Sequence, residues 1–319
     1  MSYASPNSDR LQHLKLSLKM SREMTKTFSK GFYLSTFLMP SRLRRDVFAL
    51  YGFCRYTDNI GDSPRQRSTD EIVQELEHWR EELRFAYKSG ESQNPIMNAF
   101  VNVALDKGIP IGLPLELIDG VQSDLLTASY PDFISLRKFC YQVASVVGVM
   151  MTYIIGYSDG SAFQHAESLG IAMQITNILR DINEDWQLHG KIFLPEDDMK
   201  RFGVTRADIA NGNINENFIG LMKYEIERAR GYYKDAERGI ELLSKSGRPS
   251  IRAAAKIYAS ILDTIEARGY DVFSSRAVVA TPKKLSIMVQ NRVASLLPRR
   301  AETRPGELLS GQTKGFDLY

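Results

Sequence analysis

VFALYGFCRYTDNIGD, residues 47–62, is apolar on nearly every side of a helical wheel, which marks a mostly buried helix. One narrow stripe breaks the pattern. Tyr51, Arg55, Asp58 and Asp62 follow spacings of 4, 3 and 4, so at 100° per residue they fall within an arc of about 60°. A second stretch, IAMQITNILRDINED (residues 171–185), repeats the design. Gln174, Asn177, Asp181 and Asp185 fall within an arc of about 80°, while Ile171, Ile175, Ile178, Leu179 and Ile182 cover much of the rest and Arg180 and Glu184 lie toward the stripe's edge.

Two carboxylates at i and i+4 repel each other on a helix, and burying each without a partner costs several kcal/mol or more. One such pair is common on an exposed helix face. Two pairs, each inside an otherwise apolar helix, call for a cationic partner. Asp, Asn and Gln offer only oxygen donors, which suit a hard cation such as Mg²⁺ that also binds phosphate. His13, His78, His165 and His189 form no ligand-like cluster, which argues against zinc.

Outward from these stripes the chain reads as helices throughout. The spacing predicts helices over residues 9–29, 41–62, 69–89, 93–107, 114–127, 132–157, 160–186, 215–245, 249–270 and 282–297. Ser68 with Glu71 and Thr205 with Asp208 have capping-box spacing. Pro40, Pro131 and Pro282 sit near helix openings, and Gly190 and Gly247 punctuate. No strand-like alternation, internal repeat or G-x-G-x-x-G occurs. The expectation is one all-α domain over residues 9–297, a helical bundle around a central cavity, with flexible tails at 1–8 and 298–319.

Composition narrows the function classes. Of 319 residues, 43% are apolar and 25% charged, and the net charge is +3. That is ordinary for a globular protein and too dilute a basic field for a nucleic-acid partner. Cys54 and Cys140 lie in apolar stretches and read as buried thiols of a reducing compartment. The opening residues lack a signal-peptide core, and no run of about 20 apolar residues predicts a membrane span. The expected location is the cytoplasm, with peripheral contact at a membrane surface. For that contact the last helix offers Leu285, Met288, Val289, Val293 and Leu296 at helical spacing, with Lys283, Lys284, Arg292, Arg299 and Arg300 nearby; the competing reading docks this face on the bundle. Oligomeric state is left open.

The segments YGFCRYTDNIGD, VASVVGVMM, QITNILRDINEDW, GKIFLPEDD and AAAKIYASILDTIEARGYDVFSSRA resemble the squalene/phytoene synthase family in order and spacing, over residues 21–290. The last of them looks more like phytoene synthases than squalene synthases. The resemblance implies an all-α isoprenoid-synthase fold. It implies Mg²⁺, with Mn²⁺ as a substitute, held by Asp58 and Asp62 on one wall and by Asn177, Asp181 and Asp185 on the other. Tyr51, Arg55, Gln174, Arg180, Tyr258 and Arg276 match positions that face the diphosphates, and Met24, Thr25, Lys26 and Thr27 match a flexible segment that closes over one of them. The chain departs from the family pattern at Asn59, where a second acid is usual, at Phe139 in Phe139-Cys140-Tyr141, and at Lys191 and Phe193, where Arg-x-Tyr is frequent.

The implied reaction joins two prenyl diphosphates head to head through a cyclopropylcarbinyl diphosphate. Ionisation leaves an allyl cation and a diphosphate, whose charge Mg²⁺, Arg55 and Arg180 would stabilise. Proton loss then ends the sequence without NADPH. Phe139, Val143, Val146, Val147 and Met150 read either as the cation-facing wall or as ordinary core. Two C20 geranylgeranyl diphosphates giving phytoene is the expected outcome, with Ala144, Ser145, Gly148 and Ala172 small enough either to leave room for long chains or to let helices pack closely. The alternatives are a C15 synthase making dehydrosqualene, presqualene diphosphate or squalene; a head-to-tail prenyltransferase or cyclase, whose D-D-x-x-D is missing; and a non-catalytic scaffold relative, against which the retained Asp58, Asp62, Asp181 and Asp185 speak.

Overall fold

The structure, a computed structural model, describes residues 6–62 and 67–296. Among them the chain forms α1 (Pro6–Phe28), α2 (Lys30–Ser35), a 3-10 turn (Thr36–Leu38), α3 (Ser41–Gly61), α4 (Thr69–Ser89), α5 (Pro95–Lys107), α6 (Gly112–Leu126), α7 (Phe133–Cys140), a π-turn (Tyr141–Ser145), α8 (Val146–Ile155), α9 (Ala162–His189), α10 (Glu196–Phe202), α11 (Arg206–Asn211), α12 (Glu216–Ile240), α13 (Arg248–Ala267) and α14 (Thr281–Leu296). One isolated antiparallel bridge joins Tyr157 to Leu243, and no strand forms among the described residues.

Local chemistry sets the ends. Ser68 accepts from the Glu71 N–H and Glu71 returns the bond to the Ser68 N–H; Thr205 and Asp208 do the same at α11. Gly190 closes α9 in the left-handed region, at φ 63°. Several expectations are corrected. α1 begins at Pro6, within the stretch expected as a tail; residues 1–5 and 297–319 lie outside the described residues. The short α2 and α10 lie outside the expected helices and α11 was marked only by its Thr205–Asp208 cap, because helices of six or seven residues carry too few turns to show a period.

Two large apolar clusters make most of the core, and each backs one stripe; a third, small one joins α13 to α14. On the α3 side Phe53 stacks on Phe100 (centroids 4.2 Å apart) and Trp79 (5.8 Å), and Trp79 Nε1 donates to Thr57 Oγ1 at 3.0 Å. On the α9 side Ile175, Leu179, Phe218, Met222, Ile226 and Leu262 are all buried. Fully burying each such side chain is worth about 1.5–3 kcal/mol, so the rear faces of α3 and α9 hold their stripes forward against the cost of grouping carboxylates.

The helix expected over 132–157 is interrupted by the π-turn between α7 and α8. By length and composition Phe133–Ile155 would suffice to cross a membrane, which corrects the expectation that no such segment exists; most of it is buried among other helices. Phe139, Val146 and Met150 are core, whereas Val143 and Val147 keep part of their surface open. The small residues serve close packing. A Cβ on Gly170 would lie 2.5 Å from Ser145 Cα, and one on Gly148 would lie 2.6 Å from the Ala166 carbonyl oxygen. Ser145 Oγ donates to the Glu167 carbonyl at 2.8 Å, and Ala172 is fully buried. Of the four candidates for spare room, Ala144 and Gly148 stay partly exposed, and Gly148 has no space for a Cβ.

Candidate active site

The α3 stripe is only partly covered, although residues on both sides of it are core. Tyr51 stacks on Phe32 with centroids 5.5 Å apart, and burial pushes its phenol up to about 12. The Arg55 guanidinium lies 4.8 Å over the Phe28 ring and 3.7 Å from the Asp62 carboxylate, and its Nε is buried without a partner. Burial, with repulsion from Asp62, raises the Asp58 carboxyl to about 7 against the pull of Arg55. Asp62 caps α3, and burial raises it too.

The α9 stripe is wired differently. Asn177 Nδ2 donates to Gln174 Oε1 at 3.3 Å, while Asn177 Oδ1 is buried without a partner. Asp181 accepts from both Arg180 and Arg276. Burial would raise its carboxyl, but those bonds outweigh burial and hold it below the usual range. Burial raises Asp185 to about 7, helped by Asp181, Glu184 and Asp124 and opposed by Lys191.

The C-terminal ends of α3, α6 and α9 approach one another: Asp124, at the end of α6, acts electrostatically on both Asp62 and Asp185, and His189 acts on Asp62. Helix C-termini carry negative dipole ends, so this is a strongly electronegative mouth. Tyr258 on α13 faces Tyr51 and Arg276 closely enough to act on both. The structure thus links the two stripes through Asp124, which acts on Asp62 and Asp185, and through Tyr258 and Arg276, which connect Tyr51 to Asp181. It places Met24, Thr25, Lys26 and Thr27 differently from expectation. They continue α1 as regular helix, with Thr25 buried and its hydroxyl donating to the Ser21 carbonyl at 2.8 Å. The helix breaks later, at Ser29, beside the aromatic rings of Phe28 and Phe32 that cover Arg55 and Tyr51.

Sequence reasoning missed Asp124, Tyr130 and Phe28. Asp124 belongs to no stripe; it matters because α6 happens to end beside α3 and α9. Its Oδ1 accepts from the Tyr130 hydroxyl at 3.3 Å, and the Lys191 ammonium pairs with the same carboxylate and with the Asp124 carbonyl at 2.6 Å. Phe193 stacks on Phe139 (5.5 Å) and Tyr130 (5.8 Å), with Lys191 4.8 Å over its ring. Three positions that depart from the family pattern, Phe139, Lys191 and Phe193, therefore form one cluster.

Among the described residues no three His, Cys, Asp or Glu side chains converge as a ready metal cage. The donor set nevertheless fits Mg²⁺, which uses one or two carboxylates and completes its octahedron with water and substrate phosphates. Asn177 Oδ1 is an unpaired buried acceptor, and two raised carboxyls would be relieved by a cation. Arg55 Nε is an unpaired buried donor suited to a phosphate oxygen.

The family model for squalene/phytoene synthase matches residues 25–283. The chain is 36% identical over 293 residues to a 15-cis-phytoene synthase of Synechocystis sp., covering 88% of this chain and 86% of that one. It is 38% identical over 282 residues to a phytoene synthase of Arthrospira platensis, covering 84% and 90%. Among solved structures, a dehydrosqualene synthase in complex with ligand superposes with a TM-score of 0.82 at 25% identity, over 89% of this chain and 98% of that one. A squalene synthase from Alicyclobacillus acidocaldarius gives 0.74 at 25% identity, over 81% and 96%. With a carboxylate stripe on each of two helices of an all-α bundle, and with these matches along most of its length, the chain belongs to the squalene/phytoene synthase family.

Proposed function

We propose that the chain is a Mg²⁺-dependent prenyl transferase that joins two geranylgeranyl diphosphates head to head to phytoene, for carotenoid biosynthesis, with residues 9–297 acting as one catalytic domain. The observation that carries the reaction class is the pair of half-buried oxygen-donor stripes, backed by core and flanked by Arg55, Arg180 and Arg276. Asp58 and Asp62 on one wall, and Asn177, Asp181 and Asp185 on the other, would hold the cation. That cation supplies charge stabilisation to the departing diphosphate. Arg55, Arg180 and Arg276 take the diphosphate oxygens, with Tyr51, Gln174 and Tyr258 orienting them. Val143 and Val147 present apolar surface that excludes water from the allyl cation. Lys26 and Thr27, exposed at the end of α1, would contact a diphosphate, with Met24 and Thr25 anchoring that turn.

The choice of C20 chains rests on the relatives named as phytoene synthases at 36–38% identity. A C15 reading has its own support: the dehydrosqualene synthase is the structural neighbour with a TM-score of 0.82, and Ser145, Gly148 and Ala172 are spent on helix packing. Competition between C15 and C20 diphosphates, with Mg²⁺ and with or without NADPH, separates the two. The expected result is phytoene, no dependence on NADPH, and kcat/KM at least tenfold higher for the C20 substrate, a preference of about 1.4 kcal/mol. A tenfold preference for C15 would make this a dehydrosqualene-type enzyme.

Peripheral membrane contact is part of the same reading, because the product is a hydrocarbon. α14 docks on α13 through Ile287, while Leu285, Val289 and Val293 stay 48%, 61% and 50% exposed, next to exposed Lys283. Met288 is half-buried and turned to the bundle; the Leu296 side chain, Arg299 and Arg300 lie outside the described residues. Val289→Glu should cut co-sedimentation with anionic vesicles several-fold; undiminished binding would remove α14 from the contact.

A further inference from the structure

Asp181 is the most fully paired carboxylate of the site, and its partners are two side chains assigned above to the diphosphate. Arg180 Nε donates to Oδ1 at 2.7 Å and its Nη2 to Oδ2; Arg276 Nε donates to Oδ1 at 2.7 Å and its Nη2 to Oδ2 at 2.8 Å. An ionised carboxylate has about four lone-pair positions, and four N–H groups take them. A divalent cation that needs Asp181 therefore finds it closed. One turn earlier, the Asn177 Oδ1 acceptor has no partner at all.

The two arginines are not equivalent. Arg180 extends from α9 itself, and its side chain is only 15% exposed. Arg276 arrives from the segment between α13 and α14, and its side chain is 52% exposed. The backbone of that segment is pinned. Asp271 Oδ1 accepts from the Phe273 and Ser274 N–H groups at 3.0 and 2.9 Å, Asn183 Nδ2 donates to the Phe273 carbonyl at 3.0 Å, and Arg268 donates to Ser275 Oγ at 2.7 Å. A fixed backbone with an exposed, long side chain lets the guanidinium change partners without the segment moving.

We propose that Arg276 couples cation binding to diphosphate binding: in the empty enzyme it fills the Asp181 positions that a divalent cation requires, and an arriving diphosphate draws the guanidinium onto its own oxygens and opens Asp181. Both states satisfy the guanidinium with a bidentate anion, so the exchange leaves no buried donor unpaired. The cation and the diphosphate each bind weakly alone and tightly together, and the coupling is reciprocal. This inference rests on the reading of Asp181 as a cation ligand and Arg276 as a diphosphate partner.

The test is Mn²⁺ binding, followed by electron paramagnetic resonance without any diphosphate, for the wild type, Arg276→Gln, Arg276→Lys and the double variant Arg276→Gln with Asp181→Asn. Arg276→Gln should bind Mn²⁺ at least fivefold more tightly than the wild type, the lower end of common coupling strengths. Arg276→Lys, which keeps the charge but loses the planar fork, should fall between them, and Asp181→Asn should abolish the gain. Unchanged or weaker binding by Arg276→Gln overturns the inference. Equilibrium dialysis of Mn²⁺ with inorganic pyrophosphate tells this failure from that of the underlying reading. If the wild type retains both ions and Asp58→Asn does not, while Arg276→Gln shows no gain, only the coupling is wrong. If the wild type retains neither ion, the metal assignment falls and takes the coupling with it.

Discussion

Replacing Asp58 by asparagine is expected to cut turnover about a thousandfold, an effect of several kcal/mol on the transition state, while making the metal-free protein more stable at pH 8. Both effects have one cause. The Asp58 carboxyl is desolvated and stands a turn from Asp62, so its folded-state pKa is raised to about 7. The unfolded chain titrates near the ordinary carboxylate range. Below that range both states are protonated and Asp58 has no effect on stability. As the pH rises toward 7 the unfolded state ionises freely and the folded state resists, so stability falls; above 7 the full penalty is present. Discounted for the side chain's partial exposure, this amounts to on the order of 2 kcal/mol. Asparagine removes the charge and the penalty together. Thermal unfolding at pH 5 and pH 8 measures the stability part: the variant should melt several degrees above the wild type at pH 8, with the gap shrinking toward pH 5. Mg²⁺ with pyrophosphate should reverse the order, because only the wild type gains the ion. Near wild-type turnover in Mg²⁺-limited assays would sink the assignment of Asp58.

Gly170→Ala is expected to destabilise the fold by about 3 kcal/mol or more and to lower turnover in whatever protein still folds. The new methyl would sit 2.5 Å from Ser145 Cα and 2.6 Å from Ser145 N. These are backbone atoms of the π-turn and cannot rotate away as a side chain could, so the cost lies at or beyond the top of the usual 1–3 kcal/mol range for overpacking. Relief requires α9 to move off the π-turn. Gln174, Asn177, Asp181 and Asp185 ride on the same rigid helix, so the displacement carries the whole stripe with it, and errors near 1 Å in such placement cost about a hundredfold in rate. Denaturant unfolding and kcat, measured together, check this. Wild-type stability would mean that the contact between α9 and the π-turn yields far more easily than its geometry indicates. Gly31→Ala is the control: a Cβ there meets nothing within 4 Å.

Both predictions start from features that differ in how far the amino-acid sequence reveals them. The stripes were legible because a helix imposes its period on anything it carries. Asp58 and Asp62, or Asp181 and Asp185, four residues apart among Ile, Leu, Phe and Val, can face only one direction once the rest is buried. The capping boxes at Ser68 and Thr205 were legible for the same reason, since a cap is completed within four residues. The all-α class and the donor chemistry of the site follow from such short-range rules.

Pairing between elements was not legible. Asp124 enters the site only because α6 ends beside α3 and α9. Asp181 is closed by Arg276, 95 residues away in sequence. The small residues Ser145, Gly148 and Ala172 were equally consistent with a roomy cavity and with tight helix crossings until Gly170 was seen against the π-turn. Periodicity determines which face of a helix is polar, and residue type determines what that face can bind. Which other faces it meets depends on how apolar volume packs across the whole bundle, a many-body condition that no local window contains. In this protein the sequence by itself determined the two polar faces and the oxygen donors they carry; the tertiary structure alone decided which groups meet those faces, because desolvation and charge pairing act through space and not along the chain.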